Sequence, residues 1–380
     1  MYLLKLLIKH ILSFFLHIFW LFPIKKNRIT LLNELSFKYG DNLKYLHMYM
    51  EKNYKNKFNI VFPMSKKELI NGVIIPKPFS LQYFYYLLTS KFIITNAGGI
   101  SYLPLRKKQI VINTWHGGGP YKKTGIDMSS NKYQYKQTAL NARKITYMLS
   151  TAKNFDDYES KSLLLKPNQL VPTGYPRIDI FFHDNKHLYK KVKDYYKINY
   201  NKKVILYAPT FRDTNIDSAP DRKLPELNID YKKVCSTLQQ KFGGEWVFAY
   251  RLHPKLSSVF SNPEGTLNFS DYPDMQELLY ISDVVITDYS SLMWDFSFTK
   301  RPCFLYAFDI DEYEKTRGFY MPAKEWPYPL AHNNDELIDN IKSFSIEKYI
   351  NDVNKHHQIC GIYEKGEACR MTLELINKNI

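Results

Sequence analysis

Short apolar runs rich in β-branched and aromatic residues recur along the first half of the chain, and segments with helical spacing separate them. The runs are ITLLNEL (29–35), FNIVFPM (58–64), GVIIP (72–76), KFIITNAG (91–98) and QIVINTW (109–115). Apolar residues at helical spacing lie between them, for example at 43–54 and 80–90. This alternation is typical of a parallel sheet covered by helices on both faces. The first half is therefore predicted to be an α/β domain.

The same alternation begins again after a polar stretch rich in Lys, Asn and Tyr at residues 184–203. The later runs are KVILYAPTF (203–211), EWVFAYRLHP (245–254), DVVITDYSS (283–291) and PCFLYAF (302–308). We therefore expect two α/β domains with a cleft between them, at residues 28–190 and 191–345. A helical tail at 346–380 is expected to pack back on them. Ligands of such domains bind at the carboxyl ends of the strands.

An apolar segment, MYLLKLLIKHILSFFLHIFWLFPI, occupies residues 1–24. Lys5 and Lys9 interrupt it, and the uninterrupted part is shorter than the roughly 20 apolar residues that a bilayer span needs. On a helix the two lysines lie one turn apart, which is typical of a helix in the headgroup region of an anionic membrane. We expect residues 1–27 to be an amphipathic membrane-associating segment. The alternative is a core helix of the first domain with two lysines at its edge.

The net charge narrows the classes of partner. The chain has 380 residues and carries 53 Lys and Arg against 37 Asp and Glu, a formal charge of +16. This excess predicts an anionic partner such as nucleic acid, anionic lipid or a phosphate-rich substrate. The 45% of hydrophobic residues excludes a disordered chain. The four cysteines have no metal-binding spacing and are predicted to be reduced thiols.

The densest cluster of chemically active residues, NTWHGGGPYKKTG, covers residues 113–125. Glycines at a strand end let the backbone approach a phosphate closely, and lysines supply positive charge. The ordinary pKa of histidine suits proton transfer near neutral pH, so His116 is a candidate general base. The other candidates in this loop are Gly117, Gly118, Gly119, Lys122 and Lys123. The alternative is a tight strand-to-helix turn with a structural histidine.

A second cluster follows a predicted strand of the second domain. Arg251 and His253 alternate with Leu252, so both side chains lie on one face of an extended chain that Pro254 ends. Two cationic or proton-donating groups placed in this way suit a diphosphate. Arginine and histidine at strand ends are also often structural, and this alternative stays open.

A third cluster, ITDYSS (286–291), connects an apolar run to a helical segment. It places hydroxyl and main-chain N–H groups at a helix N-terminus, where anions bind. Ser290 and Ser291 are the candidate phosphate ligands, and Thr287 and Asp288 precede them. The alternative is ordinary helix capping by Asp288 or Ser290.

Two other kinds of site are not predicted. Asp309-Ile310-Asp311 matches the Asp-x-Asp pattern of metal-dependent sugar transferases, but so short a pattern arises easily by chance. We therefore expect no metal site. No aromatic and basic repeat of a nucleic-acid-binding module occurs, so nucleic acid is not an expected partner.

The three clusters, in this order and spacing, resemble the CDP-glycerol glycerophosphotransferase family, the polyol-phosphate transferases of teichoic-acid and capsule synthesis. The resemblance covers most of the chain from about Asn33 onward. It rests on TWHG (114–117), LYAPTFR (206–212), RLHP (251–254), ITDYSSLMWD (286–295), KRP (300–302) and RGFY (317–320). One departure follows the first histidine and glycine, where the family commonly has Thr-Pro-Leu and this chain has Gly118-Gly119-Pro120.

The resemblance implies a GT-B-like arrangement, in which two Rossmann-like domains face a cleft. It implies a C-terminal domain that binds CDP-glycerol or CDP-ribitol and an N-terminal domain for a lipid-linked saccharide acceptor of the undecaprenyl-diphosphate type. The two motif histidines of the family correspond to His116 and His253, and its phosphate-binding serines to Ser290 and Ser291. The implied donor site further contains Pro209, Thr210, Arg212, Arg251, Thr287 and Asp288.

The expected reaction is attack of an acceptor hydroxyl on the polyol-bearing phosphorus, with His116 as the base and CMP as the leaving group. No cofactor or essential metal is expected, and the enzyme is expected at the cytoplasmic face of a bacterial membrane. The sequence is compatible with glycerol or ribitol, with one addition or polymerisation, and with a teichoic-acid or capsule acceptor. The alternatives are a GT-B glycosyltransferase that uses a nucleotide sugar and a non-catalytic, polyanion-binding peripheral membrane protein.

Overall fold

The chain divides into two compact units. The computed structural model describes residues 2–66, 68–128, 131–210, 229–252 and 262–380, with side chains from residue 8 onward. Unit 1 comprises Met1–His183 and Cys360–Ile380, and unit 2 comprises Asp184–Ile359. The sequence placed the two boundaries at residues 190 and 345. The tail predicted at 346–380 is divided between the units. Residues 346–359 belong to unit 2, and Cys360–Ile380 belong to unit 1.

Unit 1 contains a parallel sheet with the strand order β3-β2-β1-β4-β5-β6-β7. The strands are β1 (Lys25–Leu32), β2 (Asn59–Val61), β3 (Val73–Ile74), β4 (Ser90–Thr95), β5 (Ile110–Asn113), β6 (Tyr147–Leu149) and β7 (Leu170–Val171). β1 is buried from Arg28 onward, and β4 and β5 are buried except for the half-buried Lys91, as expected of a sheet covered on both faces.

The helices of unit 1 connect these strands. They are α1 (Tyr2–Leu16), α2 (Asp41–Asn53), α3 (Leu81–Thr89), α4 (Lys132–Lys144) and α5 (Ser160–Ser162). Shorter 3₁₀ helices occur at His17–Leu21, Gly125–Met128, Pro167–Gln169 and Pro176–Phe181, and a π-helical turn occurs at Phe155–Glu159. Ser80 begins α3 because its hydroxyl accepts the main-chain N–H of Tyr83.

Unit 2 contains a second parallel sheet with the strand order β10-β9-β8-β11-β12-β13. The strands are β8 (Lys203–Tyr207), β9 (Trp246–Tyr250), β10 (Leu267–Asn268), β11 (Val284–Thr287), β12 (Cys303–Tyr306) and β13 (Leu330–Ala331). The described helices are α6 (His187–Tyr195), α7 (Tyr231–Phe242), α8 (Met275–Ile281), α9 (Leu292–Ser297), α10 (Ile310–Thr316), α11 (Asn334–Ser343) and α12 (Ile346–Cys360), with a 3₁₀ turn at Ala323–Glu325. The predicted α/β class with two Rossmann-like parallel sheets is confirmed.

The last helix, α13 (Ala368–Asn377), belongs to unit 1. Asp179 accepts the main-chain N–H groups of Ala368 (2.9 Å) and Cys369 (2.8 Å), which begin this helix. Glu364 accepts the main-chain N–H of Tyr175 at 3.0 Å. The end of the chain is therefore part of the first domain.

Helix α1 packs on unit 1 through one face. Leu12 and Leu16 contact the core cluster that contains Tyr83 and Leu87. Lys9 Nζ donates to Gln137 Oε1 at 2.5 Å. In the part of the chain that the structure describes, no helix is both long enough and apolar enough to cross a membrane.

Candidate active site

In each unit the strand order reverses at the place where the polar residues are concentrated. In unit 1 the reversal lies between β1 and β4, and in unit 2 it lies between β8 and β11. The crevice beyond the carboxyl ends of strands at such a reversal is the usual ligand site of open α/β sheets. Leu32, Thr95 and Asn113 pair in register, so β1, β4 and β5 end side by side. The loops that follow these strands carry the candidate site of unit 1.

His116 is held at this edge by the strand next to its own. Its Nδ1 lies 2.7 Å from the main-chain carbonyl oxygen of Asn96, which directly follows β4. A carbonyl oxygen can only accept, so Nδ1 carries the hydrogen. In the neutral ring Nε2 then carries the lone pair. This is the tautomer in which Nε2 can accept a proton from a hydroxyl group.

Trp115, the residue before His116, adopts a strained backbone conformation. Its φ is +55°, a region that residues with a side chain rarely occupy. Its indole ring lies against the His116 imidazole, with the ring centres 4.5 Å apart. Its main-chain N–H donates to Asn113 Oδ1 at 2.8 Å. Such strain persists where the surroundings over-determine it, and it is frequent at functional sites.

The glycine loop after His116 is more buried than an exposed turn. Gly118 and Gly119 are buried, and Gly117 is half-buried. Gly119 has φ +70°, which a side chain would disfavour. Lys122 and Lys123 are half-buried and have interaction partners. The structure thus places the predicted loop residues beside His116 along the chain, and their contact with a phosphate stays a prediction.

A group of polar residues around His116 was missed in the sequence. It consists of Asn33, Glu34, Asp41, Asn42, Thr95, Asn96 and Arg177, which are joined by hydrogen bonds. A signal was present, because Asn33, Glu34 and Asn96 are polar residues that follow long apolar runs. The sequence does not show that these runs become neighbouring strands.

Glu34 is a carboxyl group at the reversal point of unit 1. It accepts hydrogen bonds from the Thr95 hydroxyl and from the main-chain N–H of Gly99. Burial raises the pKa of Glu34 above its ordinary value, and these hydrogen bonds offset that rise only in part. A Cβ atom at Gly99 would overlap the carboxylate of Glu34, so a side chain at this position would displace the carboxylate.

Asp288 organises the reversal point of unit 2. It is fully buried, and its carboxylate accepts the main-chain N–H of Thr210 at 2.8 Å and the Thr210 hydroxyl at 2.6 Å. Thr287, the last residue of β11, donates its hydroxyl to the carbonyl of Ala208 at 2.7 Å. The ends of β8 and β11 are therefore tied together, with Pro209 and Thr210 half-buried between them.

Ser290 and Ser291 lie at the start of α9, as the sequence predicted. Ser291 has φ −61° and ψ −11°, and among the described residues its side chain makes no capping hydrogen bond. The carbonyls of Ser290 and Ser291 accept the N–H groups of Met293 and Trp294, both at 3.1 Å.

Arg251 makes contacts that the sequence did not indicate. Its Nη1 donates to the carbonyl oxygens of Phe269 (3.0 Å) and Tyr272 (2.9 Å). Burial lowers the pKa of this guanidinium group, and Asp274 acts in the opposite direction. In the structure Arg251 therefore supports the segment after β10. His253 and Arg212 lie outside the described residues.

Asp309, the first residue of the Asp-x-Asp pattern, binds the hydroxyl group of Tyr289. It accepts a hydrogen bond of 3.3 Å from the Tyr289 hydroxyl, and the Tyr289 ring stacks on Tyr313 at 3.8 Å between ring centres. Among the described residues, no three His, Cys, Asp or Glu side chains converge in a way that could hold a metal ion.

Comparisons with known proteins agree with this arrangement of motifs. Residues 14–377 match the family described as CDP-glycerol:poly(glycerophosphate) glycerophosphotransferase. The chain belongs to this glycerophosphotransferase family. As a member it is an enzyme that transfers a polyol phosphate from a CDP-activated donor, and the resemblance inferred from the motifs is confirmed.

Two curated glycerophosphotransferase relatives match nearly the whole chain. The teichoic acid poly(glycerol phosphate) polymerase of Bacillus spizizenii is 29% identical, over 97% of this chain and 96% of its own length. The teichoic acid glycerol-phosphate transferase of Staphylococcus aureus is 28% identical, over 90% of each chain. The chain spans about half the length of some other relatives that it matches.

A solved glycerophosphotransferase structure has the same fold. The wall teichoic acid polymerase TagF superposes with a TM-score of 0.83 and 27% identity, over 94% of this chain and 90% of that chain. A histidine-to-asparagine variant of TagF was also solved after a soak with CDPG, with the same TM-score.

Proposed function

We propose that this enzyme transfers glycerol phosphate from CDP-glycerol to a hydroxyl group of a lipid-linked saccharide or a growing polymer, and releases CMP. The product belongs to cell-surface polymer synthesis of the teichoic-acid or capsule type. The observation that carries the proposal is the tautomer of His116. Its Nδ1 hydrogen is bound to the Asn96 carbonyl, so Nε2 is the atom that accepts a proton. The glycerol-phosphate names of two relatives that match nearly the whole chain favour glycerol over ribitol.

The reaction is a displacement at phosphorus. Nε2 of His116 takes the proton of the acceptor hydroxyl while its oxygen forms a bond to the phosphorus that carries glycerol. The bond between this phosphorus and the bridging oxygen of CMP breaks, and CMP leaves with the electron pair. Positioning and charge neutralisation supply most of the rate enhancement in phosphoryl transfer.

The reversal point of unit 2 is the proposed donor site. Asp288 holds Thr210 at the end of β8, and this fixes the loop facing the start of α9. The Ser290 and Ser291 hydroxyl and N–H groups bind the diphosphate in this proposal. Arg251 shapes the neighbouring strand end, and the roles of His253 and Arg212 are carried over from the family motifs. The step uses no metal ion or cofactor.

The surface of α1 supports a membrane-bound site of action. Its outer face and the following 3₁₀ turn expose apolar side chains, among them Phe14 (74% exposed) and Leu21 (82%). Lys25 and Lys26 lie exposed directly after this segment. An apolar face beside positive charge favours an anionic bilayer surface. We place the enzyme as a peripheral protein at the cytoplasmic face, where a nucleotide-activated donor and a lipid-linked acceptor meet.

The test compares the wild type with His116→Ala in an assay of CMP release. The substrates are CDP-glycerol or CDP-ribitol with a lipid-linked disaccharide analogue, and product mass counts the units added. Loss of a general base predicts a reduction of kcat by roughly 10²–10⁴-fold. His332→Ala removes an exposed histidine of unit 2 and should keep full activity. Acceptor-dependent CMP release at the wild-type rate in His116→Ala would reject this function for His116.

A further inference from the structure

The side chain of Asn96 is fixed by three hydrogen bonds within unit 1. Its Oδ1 accepts the main-chain N–H of Glu34 at 3.1 Å. Its Nδ2 donates to Asn33 Oδ1 at 3.0 Å and to Asp41 Oδ2 at 2.7 Å. Because an N–H can only donate and a carboxylate can only accept, these partners determine the orientation of the amide. The carbonyl that binds His116 therefore belongs to a residue with no rotational freedom.

Asn42 holds the other side of the same turn. It is fully buried, and its Nδ2 donates to the carbonyl oxygens of Thr114 (3.3 Å) and Trp115 (3.0 Å), the two residues before His116. Its Oδ1 accepts the main-chain N–H of Arg177 at 3.1 Å. The backbone that carries His116 is thus fixed by one asparagine, and the imidazole ring is bound by the carbonyl of another.

The two asparagines are connected through the start of α2. Asp41 precedes Asn42, and its Oδ2 accepts from Asn96. Its Oδ1 forms an ion pair with Arg177 Nη1 at 2.7 Å, in which the arginine side chain is 7% exposed. Arg177 therefore binds Asp41 through its guanidinium group and Asn42 through its main-chain N–H. A buried, fully paired network of this kind is rigid.

We propose that Asn42 and Asn96 are positioning residues of the transferase, and that Asp41 and Arg177 hold them in place. Together they keep His116 in the tautomer with the hydrogen on Nδ1 and Nε2 available to the acceptor hydroxyl. None of the four touches the reacting atoms in this account. The inference rests on the proposed role of His116 as the base. It adds the residues that hold His116 in the tautomer that can act as a base.

The first test needs no variant of the network. Nitrogen-15 NMR of histidine-labelled protein above the pKa of the ring reports which nitrogen carries the hydrogen, and subtraction of the His116→Gln spectrum assigns the signal. We expect the Nδ1–H tautomer for His116 in the wild type. The Nε2–H tautomer, or a mixture of both, would overturn the proposal, whatever the activity of the enzyme.

The second test uses Asn42→Ala and Asn96→Ala. Loss of positioning should let both tautomers of His116 populate and lower kcat by about 10- to 100-fold, with little change in KM for CDP-glycerol. Unchanged kcat and an unchanged tautomer in Asn42→Ala would contradict the proposal.

Gln109→Ala is the matched control. Gln109 is also buried, and its Nε2 donates to the carbonyl oxygens of Leu87 (2.9 Å) and Ser90 (2.8 Å). These bonds lie at the amino end of β5, and the bonds of Asn42 lie at its carboxyl end. A purely structural role predicts that Gln109→Ala and Asn42→Ala change kcat alike, which would overturn the proposal.

The two proposals fail in different ways. If His116→Ala keeps its activity while the wild-type ring is the Nδ1–H tautomer, the network positions His116 but the proposed base is wrong. If His116→Ala is inactive while the ring is the other tautomer, His116 is essential to the transfer and the positioning proposal falls.

Discussion

Glu34 shows how the surroundings of a single side chain change its chemistry. The carboxyl lies beside Gly99 and accepts the Thr95 hydroxyl, and burial raises its pKa. In the unfolded chain the same group ionises at the ordinary value for glutamate. The folded protein therefore binds this proton more tightly. The contribution of Glu34 to stability is complete below the ordinary pKa and is lost as the pH rises through the raised one.

The Glu34→Gln variant should remove this pH dependence. The free energy of unfolding of the variant, relative to the wild type, should rise as the pH increases above the ordinary glutamate pKa, by about 1.4 kcal/mol for each unit of pKa difference. Urea unfolding at several pH values measures it. If the difference in unfolding free energy between the two proteins stays constant as the pH rises, burial does not raise the pKa of Glu34.

At the scale of one element, the two faces of α1 have different surroundings. Leu12 and Leu16 pack on the core of unit 1, as a core helix does. Phe14 and Phe15 on the other face are largely exposed. The 3₁₀ turn after α1 is tied to the domain, since Trp20 Nε1 donates to the Pro104 carbonyl at 2.7 Å. The exposed face is therefore presented on a fixed support.

Substitution of Phe14, Phe15 and Leu21 together by serine should weaken binding to anionic vesicles. Each buried apolar side chain contributes about 1.5–3 kcal/mol, so the loss of all three should lower the partition constant by about 1,000-fold or more. Turnover of soluble substrates should persist because these side chains are outside the core. Flotation with vesicles measures the binding, and Ile346→Ser in unit 2 is the control. If the triple variant floats as well as the wild type, these side chains do not bind the membrane.

At the scale of the whole molecule, the chain leaves unit 1 and returns to it. The returning segment brings Glu364, which accepts the Thr151 hydroxyl at 2.5 Å and the N–H of Tyr175 at 3.0 Å. It also brings the N–H groups at the start of α13 to Asp179. Burial raises the pKa of Asp179, and these N–H groups act against the rise. The first domain thus depends on residues from both ends of the chain.

Removal of residues 361–380 should destabilise unit 1 selectively. Hydrogen bonds to charged groups contribute about 1.5–3 kcal/mol each, and a domain has only about 5–15 kcal/mol in total. Hydrogen exchange followed by mass spectrometry should show lost protection in β1, β4 and β5 and normal protection in β8 and β11. Glu364→Ala, which keeps α13, should show a smaller loss. Equal protection of unit 1 in the truncated and full-length chains would contradict this dependence.

The sequence by itself determined the fold class, the long central strands and the family. Each long strand contains a buried apolar run. The ordered motifs around His116, Arg251 and Ser290 are specific enough to indicate the family. The strands at or next to the sheet edges β3, β6, β7, β10 and β13 have only two or three residues each. Of these, β3 fell within a predicted run, and the other four are too short for a periodic pattern to show.

Only the tertiary structure decided which partners the candidate residues have. The cation at Arg251 suggested an anion, yet its Nη1 binds main-chain carbonyls. Asn42 gave no signal, and Asn96 showed only that a polar residue follows an apolar run. Their partners near His116 are distant in sequence and become neighbours only when β4 lies between β1 and β5. The apolar pattern of a strand reflects burial, which local sequence shows. The hydrogen bonds between side chains depend on which strands are neighbours in the sheet, and only the tertiary structure shows that.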